Sequence, residues 1–453
     1  MINYVDEIYS GKYWVSVYGT GYVGLSLVAV YLRHGLRVIG VDIDERKLER
    51  IRRGDLWFNE EAIRSAIKKG LEESKLVLTN DSIEASRKSI VKVITVPVYI
   101  DWDTKKIDYS ALEDVSEKIG LGLKRGDLVI IESSIPPTTT KNIIKPILEK
   151  VSGLKTEEDF YLAYSPERIY IGRAIEDIEK NYPKIVGGIG PKSLDIASRF
   201  YEKLVKKGVI KLGSTTAAEF EKLVEGIYRD VNIALANELA VAAMKLGVDF
   251  YEAREAANSQ PYCHLHLPGP GVGGYCIPVY PYFMMDRVLA KGYIMELTRL
   301  SRRINESMPY VVVSLVEKLR KKAELKPNSV KVTVLGAAFR GNIDDTRLSP
   351  TRDIVALLKA RGYRNVIVHD PFVKSDPVLE ELSIKLTRDL EEALKNSDIV
   401  IIVTRHDTYQ RLKLSEVVCL SGKKPLIVDT TAFIDLDMNY DKIIILGKTP
   451  LTR

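Results

Sequence analysis

The sequence predicts an α/β chain in which two doubly wound, mostly parallel sheets flank a long helical segment. Three observations predict it. The first third alternates short apolar runs with helix-period stretches, the order that builds parallel sheets covered by helices. From Ala217 to Leu246 the apolar residues recur at helical spacing for thirty residues, longer than an ordinary globular helix. After Lys326-Pro327-Asn328-Ser329 the strand–helix alternation resumes. A chain of 453 residues accommodates two or three domains. We place them at 1–212, 213–325 and 326–453.

In order, Trp14 to Tyr18 reads as a strand, and a glycine turn then opens a helix reaching about His34. Arg37 to Val41 is the next strand and Glu45 to Arg53 a helix. Val91 to Val96 and Leu128 to Ile131 are further buried strands, and Tyr161 to Ala163 and Lys184 to Val186 extend the same sheet towards Leu212. In the central segment, Phe220, Leu223, Val224, Ile227, Val231, Leu235, Leu239 and Ala242 form the helical stripe, broken only by Gly226. A helix this long bridges domains or packs on a partner subunit. A second one is expected from Asp286 to Lys322, kinked at Pro309. In the last segment Val330 to Leu335, Val366 to Val368, Ile399 to Val403 and Leu426 to Val428 read as parallel strands. Helices begin near Ser349-Pro350 and Asp389.

Gly19-Thr20-Gly21-Tyr22-Val23-Gly24 follows a strand and opens a helix. Gly19 permits the tight turn, Gly21 lets a pyrophosphate approach the backbone, and Gly24 allows close helix–strand packing. The helix N-terminus then presents unpaired N–H groups to the phosphates. Asp42 ends the second strand 18 residues beyond Gly24, where an acid accepts ribose hydroxyls and repels a 2′-phosphate. The first domain is therefore a Rossmann-like binder of NAD rather than NADP. The corresponding turn of the last domain, Gly336-Ala337-Ala338-Phe339-Arg340-Gly341, lacks this spacing and is assigned no cofactor.

Composition excludes several classes. With 45% hydrophobic and 28% charged residues the chain is globular, and no apolar run reaches membrane-spanning length. Asp6 and Glu7 stand where a secretory leader would be basic, so a cytoplasmic location is expected. The net charge of +6 is spread out, which argues against a nucleic-acid partner. Three dispersed cysteines give no disulfide framework. Cys263-His264-Leu265-His266 has no second ligand pair, so no metal is expected. Only Gln260 and Gln410 represent glutamine, a composition that leans towards a thermophile.

Cys276 ends the run Gly269-Pro270-Gly271-Val272-Gly273-Gly274-Tyr275. An isolated cysteine is ordinarily a buried, inert hydrophobe. At the end of a glycine loop, which lets backbone approach a ligand, a thiol can instead attack a carbonyl carbon.

Further motifs follow one another in a fixed order: Gly40-Val41-Asp42-Ile43-Asp44, Glu132-Ser133-Ser134 with Pro136-Pro137, and Ser165-Pro166-Glu167-Arg168. Lys222, Arg229-Asp230-Val231-Asn232 and Asn237-Glu238 lie on the long helix, ahead of the Cys276 loop and Asp344-Asp345-Thr346-Arg347. Over nearly its whole length the chain resembles the UDP-glucose/GDP-mannose dehydrogenase family. Its Pro-Gly-Pro-Gly-Val-Gly-Gly loop is similar to the branch acting on UDP-N-acetylhexosamines, with UDP-N-acetyl-D-mannosamine the first expectation. The resemblance implies two Rossmann-like domains, one for NAD and one for the UDP-sugar, joined through a helical dimerisation domain. It implies a homodimer or higher homo-oligomer, and a role in polysaccharide precursor supply.

The implied reaction is a four-electron oxidation of the sugar C6 alcohol to a carboxylate. Lys222 would help deprotonate the alcohol and stabilise the oxyanion. Cys276 would capture the aldehyde and carry a thioester, its thiolate favoured by a cation such as Lys222. Glu167 would assist proton transfer during hydrolysis. Tyr22, Val23, Asp42, Lys47, Ser134 and Arg347 would touch NAD. Arg168, Ile169, Lys222, Arg229, Gly273 and Arg340 would contact the UDP-sugar; Arg340 stands where the family has Lys.

Four positions depart from the family pattern. Gly226, one helical turn after Lys222, replaces an Asn and removes an oxyanion donor, a loss of about a hundred-fold or more in rate. Tyr280 replaces an Asp, Tyr275 a His, and Gln260-Pro261-Tyr262 a His-Pro-Arg. Two readings follow: an altered substrate stacked by tyrosines, or a nucleotide-sugar-binding paralogue with weak or no turnover. UDP-glucose is a further candidate substrate.

Overall fold

The computed structural model describes residues 4–58, 60–433 and 440–448. The chain divides into two compact units, 1–224 and 225–453.

The first unit is built on an eight-stranded sheet. Its strands are β1 (Trp14–Tyr18), β2 (Arg37–Val41), β3 (Leu76–Thr79), β4 (Ser89–Ile94), β7 (Leu128–Ile131), β8 (Tyr161–Tyr164), β9 (Lys184–Gly188) and β10 (Val209–Leu212). A two-stranded ribbon, β5 (Tyr99–Ile100) and β6 (Ile107–Asp108), stands apart. The order is β10-β9-β8-β7-β4-β1-β2-β3, so the order in which strands are added reverses between the parallel neighbours β1 and β4. Ligands of open α/β sheets bind outside the strand C-termini at such a reversal. The strands read as continuous apolar runs because helices cover both faces. Val15, Val17, Val91 and Val93 pack with Leu25, Leu27 and Val28 of the helix Tyr22–Arg33 in one core.

One pairing differs from the expected parallel sheet: β9 runs antiparallel to β8, with Tyr164 opposite Gly187. The connection between them contains only the three-residue helix Ala174–Glu176 and a π-turn, Asp177–Asn181. It does not cross back over the sheet as a parallel pair requires. Residues 165–183 therefore stay at the strand end where β8 finishes, together with Glu167 and Arg168.

The second unit holds a six-stranded, wholly parallel sheet: β11 (Lys331–Leu335), β12 (Asn365–His369), β13 (Lys385–Thr387), β14 (Ile399–Ile402), β15 (Leu426–Asp429) and β16 (Ile443–Ile445). Its order is β13-β12-β11-β14-β15-β16. Ser349 caps the helix Pro350–Ala360 with Pro350 in its first turn, and Asp389 caps Leu390–Leu394. After β11 the Asp370 carboxylate accepts the Ala337 and Ala338 amides at 2.8 and 2.9 Å. The Asn342 amide donates to His406 Nδ1, so His406 Nε2 carries a proton and donates it to Asp370 at 3.0 Å. Burial opposes charge on Asp370, but His406 and the backbone amides outweigh it and hold the carboxyl at about 2.

The long helix runs from Thr215 to Leu246. The expected single helix Asp286 to Lys322 is instead two, Tyr280–Leu289 and Glu296–Lys322. Gly292 breaks it with a φ of +78°, and the Tyr293 amide turns back to the Val288 carbonyl. Pro309 lies inside the second helix. The strand expected at Val91 to Val96 lies two residues earlier, and the chain leaves the sheet before Thr95.

Candidate active site

The turn after β1 is shaped for close approach. Gly19 has a φ of +95°, a region a side chain rarely enters. A Cβ on Gly24 would stand 1.9 Å from the Gly19 carbonyl oxygen, so only glycine lets the helix Tyr22–Arg33 begin there. Gly21 has no atom within 4 Å of where its Cβ would lie, leaving the backbone open to a ligand. Asp42, just past β2, accepts the Thr20 amide at 2.9 Å and the Thr20 hydroxyl at 2.8 Å, and pairs with Lys47. Burial raises the Asp42 carboxyl, but Lys47 and Thr20 outweigh it and hold it below its ordinary value. An open glycine, a cradle that a Cβ would fill and an ionised acid at the ribose position fit a dinucleotide. Tyr22 bonds Glu60 and receives the Gly172 amide at 3.1 Å, tying the turn to the segment after Arg168. Val23 packs on the core, and Ser134 is half-buried just beyond β7.

Two of the three expected catalytic residues meet within the first unit. Lys222, on the long helix, donates from Nζ to the backbone carbonyl of Glu167. The Glu167 side chain turns the other way, onto Lys184 at the start of β9. Lys184 Nζ also lies 2.9 Å from Glu132, the residue just past β7. Tyr201 donates its hydroxyl to Glu132, and Tyr31 lies 3.5 Å from the same oxygen. Burial and the neighbouring Glu167 push Glu132 up to about 8 against the pull of Lys184. The two carboxylates raise Lys184 despite its burial. Glu219, on the same helix as Lys222, accepts the Thr138 and Thr140 amides at 2.5 and 2.8 Å and braces the turn that follows Ser134.

Arg168 is directed to the Pro183 carbonyl and the Tyr182 ring, and Ile169 packs against the first core. The residues that sequence reasoning passed over are Lys184, Tyr201 and Tyr31. Glu132 was visible only as part of a motif.

In the second unit the loop ahead of Cys276 is stapled at both ends. Asn237 on the long helix accepts the Gly269 amide at 2.8 Å and donates to Asn305 at 2.9 Å. Asn305 in turn donates to Asp230, which also takes Arg302 at 2.6 Å. At the far end the Gly274 amide donates to the Arg347 carbonyl at 2.8 Å. Cβ atoms on Gly273 and Gly274 would stand 2.5 and 2.8 Å from the Phe339 side chain. Cys276 is exposed, and its carbonyl accepts the Tyr280 amide at 3.0 Å as the next helix starts. Arg347 pairs with Asp345 and lies over the Tyr275 ring. Arg229 is exposed beside Asp230, and Arg340 is half-buried after β11.

Two of the four departures touch. A Cβ on Gly226 would stand 2.4 Å from Cδ2 of Tyr280, and the Tyr280 side chain is only 4% exposed. The phenol ring therefore occupies the space into which any side chain at 226 would project.

Three profiles of one family match the chain in sequence: an NAD binding domain over residues 13–205, a central domain over 216–307 and a UDP binding domain over 333–436. The chain belongs to the UDP-glucose/GDP-mannose dehydrogenase family. It is an NAD-dependent UDP-sugar dehydrogenase, an oxidoreductase acting on a CH–OH group. A UDP-N-acetyl-D-mannosamine dehydrogenase from Pyrococcus horikoshii is 36% identical over 92% of this chain and 94% of its own length. The solved UDP-D-ManNAc dehydrogenase structure from that organism superposes with a TM-score of 0.88 and 33% identity, covering 97% of this chain and 100% of that one. A UDP-glucose dehydrogenase structure from Pyrobaculum islandicum superposes with a TM-score of 0.82 and 27% identity, covering 96% of each chain. Among the described residues of this family member, no helix is long and apolar enough to cross a membrane. No cluster of three or more His, Cys, Asp or Glu among them is placed to hold a metal.

Proposed function

We propose that the chain oxidises C6 of a UDP-N-acetylhexosamine, UDP-N-acetyl-D-mannosamine first among them, to the uronate through a thioester on Cys276. The observation that carries this reading is the Lys222–Glu167 contact, which joins an amine and a carboxylate-bearing segment beside the cofactor domain. The names of the P. horikoshii relatives and an exposed thiol on a stapled loop support it.

Gly19, Gly21, Tyr22, Val23, Gly24, Asp42, Lys47, Ser134 and Arg347 would hold NAD, which when bound accepts hydride from C6. Lys222 Nζ takes the proton of the C6 hydroxyl and stabilises the oxyanion. Cys276 Sγ adds to the aldehyde carbon, giving a thiohemiacetal whose C6 hydride would pass to a second NAD and whose hydroxyl loses its proton, leaving the thioester. Water then displaces Sγ and the thiol recovers its proton, with Glu167 helping to move protons. Arg168, Ile169, Arg229, Gly273 and Arg340 would take the UDP-sugar, with the division at 1–212, 213–325 and 326–453 assigning cofactor, dimerisation and nucleotide-sugar roles. The exposed Phe220, Val224, Tyr228, Leu235 and Leu239 along the long helix suit a homodimer.

A second reading, a nucleotide-sugar binder with little turnover, is favoured by the Tyr280 ring seated on Gly226. NADH absorbance with UDP-N-acetyl-D-mannosamine, UDP-N-acetylglucosamine and UDP-glucose in turn separates the two. Turnover fastest on an N-acetylated sugar supports the first. Intact UDP-sugar binding with no NADH from any of the three supports the second.

A further inference from the structure

Behind Glu167 lies a charge cluster that the oxidation chemistry does not account for. Lys184 stands between Glu132 and Glu167, and all three side chains are buried. One cation between two carboxylates leaves a negative charge in a site closed to water. Such an uncompensated charge is relieved by binding a proton, which then belongs to the pair. Among the described residues, Lys184 is the only cation paired with either carboxylate. Tyr31 comes from the helix Tyr22–Arg33, Tyr201 from the helix Pro191–Glu202 and Tyr164 from β8, and all are neutral phenols. Lys222 engages the Glu167 backbone carbonyl. Of the two carboxyls, Glu132 is the more enclosed, wrapped by β7, β9 and two helices, while Glu167 sits at a loop beyond β8.

We propose that Lys184 is a positioning residue that keeps one shared proton on Glu132, so that the Glu167 carboxylate remains the charged member of the pair. This rests on the role given to Glu167 above. Lys184 touches neither cofactor nor sugar in this scheme; it acts by fixing the charge and direction of Glu167.

Infrared difference spectra of the full chain at pH 7 test the assignment without turnover. A protonated-carboxyl band is expected in the parent, lost in Glu132→Gln, joined by a second in Lys184→Met and unchanged in Lys184→Arg. A parent band that survives Glu132→Gln, or a Lys184→Met spectrum identical to the parent's, overturns the proposal. Glu132→Gln is isosteric with a protonated Glu, so it decides the question even if Lys184→Met fails to fold. With an oxidised UDP-sugar, the acid limb of kcat should move up by about one pH unit in Lys184→Met with KM unchanged. Lys184→Arg should restore it. A kcat lowered equally at every pH, with the limb fixed, would mean packing alone. If Glu167→Gln keeps full activity, the role of Glu167 falls, while the infrared result still judges the proton on Glu132.

Discussion

Gly226→Ala tests whether Tyr280 and Gly226 are one packing unit. The added Cβ would lie 2.4, 3.2 and 3.3 Å from three ring atoms of Tyr280, against about 3.5–4.0 Å for ordinary carbon contacts. The ring must retreat by about 1 Å, and a side chain only 4% exposed has little room to do so. Overpacking of this kind costs roughly 1–3 kcal/mol. Replacing a mid-helix glycine by alanine returns about 1 kcal/mol. Gly226→Ala alone should therefore range from neutral to about 2 kcal/mol destabilising. In a Tyr280→Ala background the clash is gone, and the same change should stabilise by up to about 1 kcal/mol. The coupling of about 1–3 kcal/mol would be read by calorimetry as a difference in Tm shift, at roughly 2–4 °C per kcal/mol for a unit of this size. Equal shifts in both backgrounds, within about 0.5 kcal/mol, would refute the contact. The same logic predicts that Gly226→Asn raises the oxidation rate only when Tyr280→Asp accompanies it.

Cys276→Ser should abolish uronate formation, measured by chromatography of the sugar product; unchanged uronate would remove Cys276 from the chemistry. Lys222→Met should lower kcat by about 10²–10⁴-fold with NAD affinity retained, measured by steady-state kinetics and calorimetric binding. Glu132 keeps its proton to about pH 8 in the folded chain but releases it near 4.5 once unfolded, so raising pH across that window destabilises the parent. The Tm of Glu132→Gln relative to the parent should accordingly rise from pH 5 to pH 8, and a constant difference would contradict the burial argument.

The glycine turn and Asp42 were legible because their logic is local: residue type, spacing and one strand end specify the geometry. The inner strands of both sheets were legible for the same reason, as apolar runs between turn residues, whereas the edge strands β3, β10, β13 and β16 were not. What was hidden depends on contacts distant in sequence. Lys184 was readable as the first residue of a strand, but nothing nearby indicates that its amine turns inward to Glu132, 52 residues away. Gly226 and Tyr280 each looked like an independent loss; only the fold shows one filling the space of the other. The antiparallel β9 escaped because strand direction is decided by what the connection does, and that connection carries little regular structure. The break at Gly292 was masked by the helical spacing on either side of it.

The most direct measurement is the NADH yield per sugar consumed, with the product identified by mass spectrometry. Two NADH and one uronate for each UDP-N-acetyl-D-mannosamine are predicted. One NADH with a released aldehyde, or binding with no NADH at all, would contradict a four-electron oxidation held on Cys276.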